Sequence, residues 1–168
     1  MTKLVLLALV GELAACAPRT AAAPRDQAAV QADTAGAAVI TLERTPCFGS
    51  CPVYTVGVSA SGEVTYQGRA HVRRLGTATA RISEARVDSL LYELDRAGYF
   101  TFANRYRPSE PVCGRYATDS PAAITSVTHR GRSKRIEHDY GCGSAPGALV
   151  ILERRIDEVL GSSQWTGR

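Results

Sequence analysis

Four cysteines constrain this chain more than any other feature. Cys47 and Cys51 stand close together in Thr45-Pro46-Cys47-Phe48-Gly49-Ser50-Cys51-Pro52, while Cys113 and Cys142 lie far downstream. Four thiols allow three pairings. Pro46, Gly49 and Pro52 bend the chain around Phe48 and Ser50, so Cys47 and Cys51 can meet without waiting for the rest of the fold. Local closure therefore favours Cys47 with Cys51 and Cys113 with Cys142, and the two crossed pairings stay open at this level. On the loop-entropy account a bridge across about 30 residues stabilises by roughly 3 to 4 kcal/mol. Metal and redox chemistry fit these thiols less well. A tetrathiolate zinc site uses two close pairs, and only Cys47 with Cys51 makes one. A redox pair needs Cys-x-x-Cys at a helix N-terminus, where the dipole lowers the thiol pKa. Here the spacing is longer and Pro52 leads into a predicted strand. No metal or cofactor is expected.

Bridges of this kind need an oxidising compartment, and the N-terminus points to one. Lys3, the apolar run Leu4 to Val10 and Leu13-Ala14-Ala15-Cys16 form a charged, a greasy and a small-residue segment in that order. The segment resembles the signal of bacterial lipoproteins. The resemblance implies that residues 1–15 are removed as a signal peptide and that acyl chains such as palmitate anchor Cys16 in the membrane. Each buried methylene of those chains contributes about 0.8 kcal/mol. Ala17 after the cysteine implies sorting to an outer membrane, facing the periplasm. Residues 16–38 are rich in Ala, with Pro18, Pro24 and Gly36, and hold too little branched or aromatic bulk to bury a core. They read as a tether, with transient helix as the bland alternative. The apolar run is too short to cross a bilayer, which takes about 20 residues. The net charge of +4 is spread along the chain and does not argue for nucleic acid.

Residues 39–168 read as a single domain. Val39 to Arg44 and Val53 to Ser59 alternate as strands, the latter with Tyr54, Val56 and Val58 on one face. Ser61-Gly62 turns the chain, and Glu63 to Gln67 returns with Val64 and Tyr66 inward. A weaker strand is expected over Thr77 to Ile82. Ser83 is a candidate N-cap for a helix with Val87, Leu90, Leu91 and Leu94 at helical spacing, closed by Gly98. Tyr99 and Phe100 then fold back onto its stripe. Thr101 to Pro121 reads as a long surface loop wrapped over the sheet. Ala122 to His129 and Ser133 to Tyr140 form a second hairpin, and Ser144 is the expected cap of a last helix lined by Leu149, Leu152, Ile156, Val159 and Leu160. The order predicts an α+β fold: an antiparallel sheet of about five to six strands, two helices on one face, and disulfide cross-links.

Thr45-Pro46-Cys47-Phe48-Gly49-Ser50-Cys51-Pro52-Val53-Tyr54, the hairpin with Gly62 and Tyr66-x-Gly68 resemble the opening of a bacterial domain of unknown function numbered 6438. Gly98-Tyr99-Phe100, Tyr116-Ala117-Thr118-Asp119, Gly141-Cys142 and Trp165-Thr166-Gly167 fit the same layout. The resemblance spans most of residues 39–167. It implies a small exported domain, often behind a lipoprotein signal, and carries no catalytic residue with it.

Nothing else composes a recognisable catalytic set. Gly141 to Gly147 departs from the dinucleotide fingerprint and lacks its parallel-sheet context. His138 and Asp139 are neighbours on a strand and point to opposite faces. His71 and His129 are isolated, and Glu110 and Asp119 sit in the long loop with nothing fixing their separation. Two basic clusters remain, Arg69 with Arg73 and Arg74, and Arg130 with Arg132, Lys134 and Arg135. They are either solvated hairpin edges that discourage strand-to-strand association or forks for phosphate and carboxylate groups, facing lipid head groups or the cell wall. The expected function is a non-catalytic envelope lipoprotein module, membrane-bound through Cys16 and meeting an envelope protein or cell-wall partner. The alternative is an envelope thiol-redox enzyme or hydrolase using the Cys47/Cys51 or His138 region.

Overall fold

The computed structural model describes residues 37–167. The expected signal peptide, Cys16 and almost all of the tether fall outside the described residues. Strands β1 (Ala38–Arg44), β2 (Val53–Ser59), β3 (Glu63–Ala70), β4 (Gly76–Arg81), β5 (Arg105–Tyr106), β6 (Ala122–His129) and β7 (Arg132–Asp139) form one sheet in the order β4-β3-β2-β1-β6-β7-β5. Helices α1 (Glu84–Arg96), α2 (Gly147–Leu160) and a short α3 (Ser163–Thr166) complete the fold.

Strand alternation decides which face is covered. One row of cross-strand partners, Ala78, Tyr66, Val56, Leu42, Thr125 and Ile136, is buried or nearly so. The next row, Thr79, Thr65, Gly57, Thr41, Ser126 and Arg135, lies on the opposite face and is polar except for Gly57. The apolar face joins Val87, Leu90, Leu91 and Leu94 of α1 and Leu149, Leu152, Ile156, Val159 and Leu160 of α2 in one core. Both long helices therefore pack on the same side. Each fully buried aliphatic side chain contributes roughly 1.5 to 3 kcal/mol of transfer free energy.

The sheet corrects the expected architecture in two respects. It has seven strands, and it is mixed, because β5 runs parallel to β7 with Arg105 opposite Glu137 and Tyr106 opposite His138. A two-residue strand has no periodicity to read, and the segment 101–121 runs along the β7 edge to supply it. That segment also holds the 3-10 turn Pro111–Cys113.

One expected serine cap stands in place without its side-chain bond, and the other is displaced. Ser83 occupies the N-cap of α1, but its side chain makes no cap hydrogen bond; its carbonyl accepts from Arg86 N–H at 2.9 Å instead. Helix α2 starts at Gly147 behind Pro146, not at Ser144. Ser144 is held against the loop, its N–H donating to the Cys113 carbonyl at 3.1 Å. Its hydroxyl fills the space where a side chain on Gly114 would stand.

Three closures position the ends. Gly62 at φ 82° places its carbonyl to accept from Ile82 N–H at 2.9 Å, and a Cβ there would lie 2.1 Å from the Ile82 oxygen, so only glycine fits. Gly98 at φ 80° turns the chain after α1 so that Tyr99 returns to the core. There the Tyr99 and Thr125 hydroxyls satisfy each other at 2.7 Å, which allows a polar residue in an apolar row. Helix α3, absent from the sequence reading, stacks Trp165 on Tyr66 with centroids 4.8 Å apart. Its Trp165 and Thr166 carbonyls accept from Arg74 and Arg73 N–H.

The one-sided core predicts unequal costs for neighbouring positions on β1 and β3. Ile40→Ala is expected to lose about 2 to 5 kcal/mol, while Thr65→Ala on the open face changes stability by no more than about 0.5 kcal/mol. Denaturant midpoints check this, and comparable losses at both positions would contradict it.

Candidate functional site

Helix α2 carries two carboxylates one turn apart, Glu153 and Asp157, on the side that faces the sheet. Asp157 Oδ2 accepts from Arg44 Nε at 3.1 Å and Nη2 at 2.8 Å, and Asp157 Oδ1 accepts from the Tyr54 hydroxyl at 2.6 Å. Arg44 also donates to the Tyr140 hydroxyl at 2.5 Å, and that hydroxyl donates to Glu153 Oε2 at 2.6 Å. His138 completes the chain, its Nδ1 lying 2.9 Å and 3.1 Å from the two Glu153 oxygens. The His138 and Glu153 side chains are 2% and 1% exposed.

Local structure explains the convergence. Arg44 continues the inward series Ile40, Leu42, Arg44 at the end of β1, opposite Tyr54 of β2 and Ala123 of β6. His138 stands opposite Ala123 on β7, so the same inward row carries both groups. Burial opposes the Arg44 charge, yet the attraction of Asp157 outweighs it and holds the guanidinium protonated far above its ordinary range. Burial, with the Asp157 charge, pushes the Tyr54 phenol well up. Burial pushes Tyr140 up to about 12, the Glu153 charge adding to it against Arg44. Tyr99 is raised by burial as well.

Chemically this chain is a clamp. Both Asp157 oxygens and both Glu153 oxygens already accept hydrogen bonds, so neither carboxylate is a free base. Over it lies a small hollow of about 180 Å³ walled by Thr45, Cys51, Pro52 and Pro121. His138, the base of the alternative reading, is buried on the helix side. Asp139 points the other way, accepting from the exposed Tyr116 at 3.2 Å and from Gly141 N–H at 2.8 Å. His138 thus does not meet Tyr116.

The thiols are spent in two bridges, Cys47 with Cys51 and Cys113 with Cys142. Cys113 and Cys142 are buried, whereas the Cys47–Cys51 loop stands at the surface and holds Phe48 89% exposed. Among the described residues no group of three or more His, Cys, Asp or Glu side chains could hold a metal ion.

The two basic clusters do not gather into two patches. Arg69 pairs with Glu43 at 2.6 Å, Arg132 pairs with Asp95 at 2.7 Å and lies over the Phe100 ring, and Lys134 donates to the Phe102 carbonyl. The Arg132 hydrogen bond lowers the Asp95 carboxyl below its usual range. Arg74 reaches the Thr77 carbonyl, Arg73 lies beside Gly167, and Arg130 sits at the β6–β7 turn with φ 50°. Arg74 lines an open hollow with Thr77 and Trp165, and Arg135 enters an open cleft of about 570 Å³ that it shares with Asn104, Arg105 and Glu110. Sequence reading named Arg135 and Glu110 but missed Arg105, which reaches the cleft through the parallel pairing of β5. It also missed Glu153 and Asp157, although a glutamate inside the apolar stripe of α2 was a readable signal.

The raised phenols set an alkaline limit. Tyr54, Tyr99 and Tyr140 have folded pKa values above the ordinary tyrosine value of about 10. Their stabilising contribution is therefore complete below about pH 10 and is lost as pH rises through the folded values, about 12 for Tyr140. Phenolate absorbance is expected to rise in two stages, with these three appearing only as the protein unfolds in alkali; one stage near pH 10 would contradict the clamp.

No curated protein matches the chain. The family described as Domain of unknown function (DUF6438) matches residues 38–160, the stretch from the start of β1 to the end of α2 that holds both bridges and the whole ionic chain. The chain belongs to that family.

Proposed function

We propose that this protein is a non-catalytic lipoprotein module of the bacterial cell envelope, anchored through Cys16 and binding an envelope protein or cell-wall partner through its open surfaces. The outer membrane, facing the periplasm, is the expected location. The observation that carries this reading is the state of the other cysteines: all four are bonded in two bridges, which suits an oxidising compartment downstream of a lipoprotein-like signal. The commitment of the buried ionisable groups to one another supports it as well. Arg44, Asp157, Tyr140, Glu153 and His138 saturate each other and fasten a helix rather than face a substrate.

A thiol-redox enzyme would place its attacking cysteine at a helix N-terminus, where the dipole lowers its pKa. Cys51 leads instead through Pro52 into β2. A hydrolase built on His138 would need a solvent path to a ring that is sealed under α2.

Replacing the lipid-bearing thiol tests the reading in cells. The wild-type chain is expected in the membrane fraction, labelled by palmitate and with no titratable thiol among Cys47, Cys51, Cys113 and Cys142. Cys16→Ser is expected to lose the label and leave the membrane. A wild-type chain found unlabelled, reduced and soluble in the cytosol would overturn the proposal.

A further inference from the structure

The cleft along β5 gathers two arginine side chains that pair with no carboxylate. Arg44, Arg69, Arg107, Arg132 and Arg155 each pair with a carboxylate. The Arg105 and Arg135 side chains have no hydrogen bond or ion pair among the described residues, yet both line the same cleft. Register explains why. Arg105 stands opposite Glu137 in the parallel β5–β7 pair, and Arg135 lies two residues earlier on β7, on the same face of the sheet. The Glu137 carboxylate that could serve either is engaged by Arg107 at 3.4 Å. Two guanidinium groups are thus left in one concavity, with Glu110 as its sole lining carboxylate. Like charges held together repel, and a bound anion relieves that repulsion.

The opposite wall is firmly built. Glu110 leads into the 3-10 turn Pro111–Cys113, its N–H donating to the Arg107 carbonyl at 2.9 Å and its carbonyl accepting from Cys113 N–H at 3.0 Å. Cys113 is buried and bonded to Cys142, which ties the turn to the end of β7. A wall fixed before binding loses little conformational entropy on binding. Val112, 43% exposed, and Pro111 add an apolar surface beside the charges.

We infer that this cleft binds a small zwitterion of the amino-acid or short-peptide class, its carboxylate held by Arg105 and Arg135 and its ammonium by Glu110. A guanidinium fork matches a carboxylate with two parallel hydrogen bonds, and the Asn104 amide lies in the same cleft to supply another donor. Glu110 leaves the lining with one net positive charge, which suits a single carboxylate better than a polyphosphate. Pro111 and Val112 accept a short side chain. The inference deepens the binding-module reading by naming a ligand class, and the two fail separately. Cell fractionation decides the anchoring, whereas the titration below decides the ligand.

Nuclear magnetic resonance titration of the full chain with the dipeptide Ala-Ala, N-acetyl-Ala-Ala, inorganic phosphate and phosphatidylglycerol vesicles tests it. Ala-Ala is expected to shift the resonances of Asn104, Arg105, Glu110 and Arg135 and to bind more tightly than the other three probes. Arg105→Gln and Arg135→Gln, both at exposed positions where the fold tolerates change, are each expected to weaken Ala-Ala about tenfold or more. Glu110→Gln should weaken Ala-Ala but strengthen N-acetyl-Ala-Ala, an opposite pair of shifts that a merely structural glutamate would not produce. No shift in the cleft with Ala-Ala, equal binding of the acetylated dipeptide, or preference for phosphate or vesicles would each overturn the inference.

Discussion

The register of α2 on the sheet depends on two carboxylates on its inward side, Glu153 fully buried and Asp157 partly so. An apolar stripe such as Leu149, Leu152, Ile156 and Leu160 gains nearly as much from packing one turn away as in place, because burial is non-directional. Glu153 and Asp157 remove that freedom. In one position Asp157 meets Arg44 and Tyr54 while Glu153 meets Tyr140 and His138. A slip of one turn would leave charges buried without partners, and breaking such a pair costs about 3 to 5 kcal/mol. The chain of groups therefore fixes position more than it adds net stability. The Arg155 contact with Glu93 then aligns α1 beside α2 from the outer side.

With both helices committed to one face, the surfaces left for recognition are the open face, the ends of the sheet and the outer sides of the helices, where Tyr92 and Ile151 are exposed. The open face is rich in threonine, and its charges are largely balanced by local pairs such as Glu43 with Arg69. The irregular segment after α1 is different. It lays a two-residue strand along β7, turns at Pro111–Cys113 and is stapled to Cys142, so loop residues are held nearly as firmly as a strand. Arg105 and Arg135 line one cleft beside an irregular, cross-linked segment, with Glu110 as its sole carboxylate. The carboxylate clamp thus lies on the helix side of the sheet, and the candidate binding surface at the β7–β5 edge.

The sequence carried local information well and long-range information poorly. Alternation in Tyr54, Val56 and Val58 and in Val64 and Tyr66 identified the inward face, and the helical spacing of Val87, Leu90, Leu91 and Leu94 identified the α1 stripe. Short loop closure pointed to the cysteine pairs that the structure joins. Strand β5 was illegible because two residues cannot show a period, and with it went the place of Arg105. Ser144 looked like a cap because its residue type suits one, but packing against Gly114 claimed its hydroxyl. Arg44 and Glu153 were readable in principle, since each puts a charge at a position whose neighbours are all inward and apolar. Only the fold could show that the two charges belong to one chain of contacts.

On this account the core and the carboxylate chain hold the sheet, while the two bridges fasten loops onto it. Loop closure assigns about 2 kcal/mol to the short Cys47–Cys51 bridge and roughly 3 to 4 kcal/mol to Cys113–Cys142, sums that a domain of ordinary stability can lose in part without unfolding. Native-state hydrogen exchange with and without reductant tests this most directly. Reduction should speed exchange in residues 45–52 and 107–121 while β1, β6, β7 and α2 keep their protection. Loss of protection across the sheet together with the loops would show that the bridges, not the apolar core and the clamp between Arg44, Asp157, Tyr140 and Glu153, hold this fold.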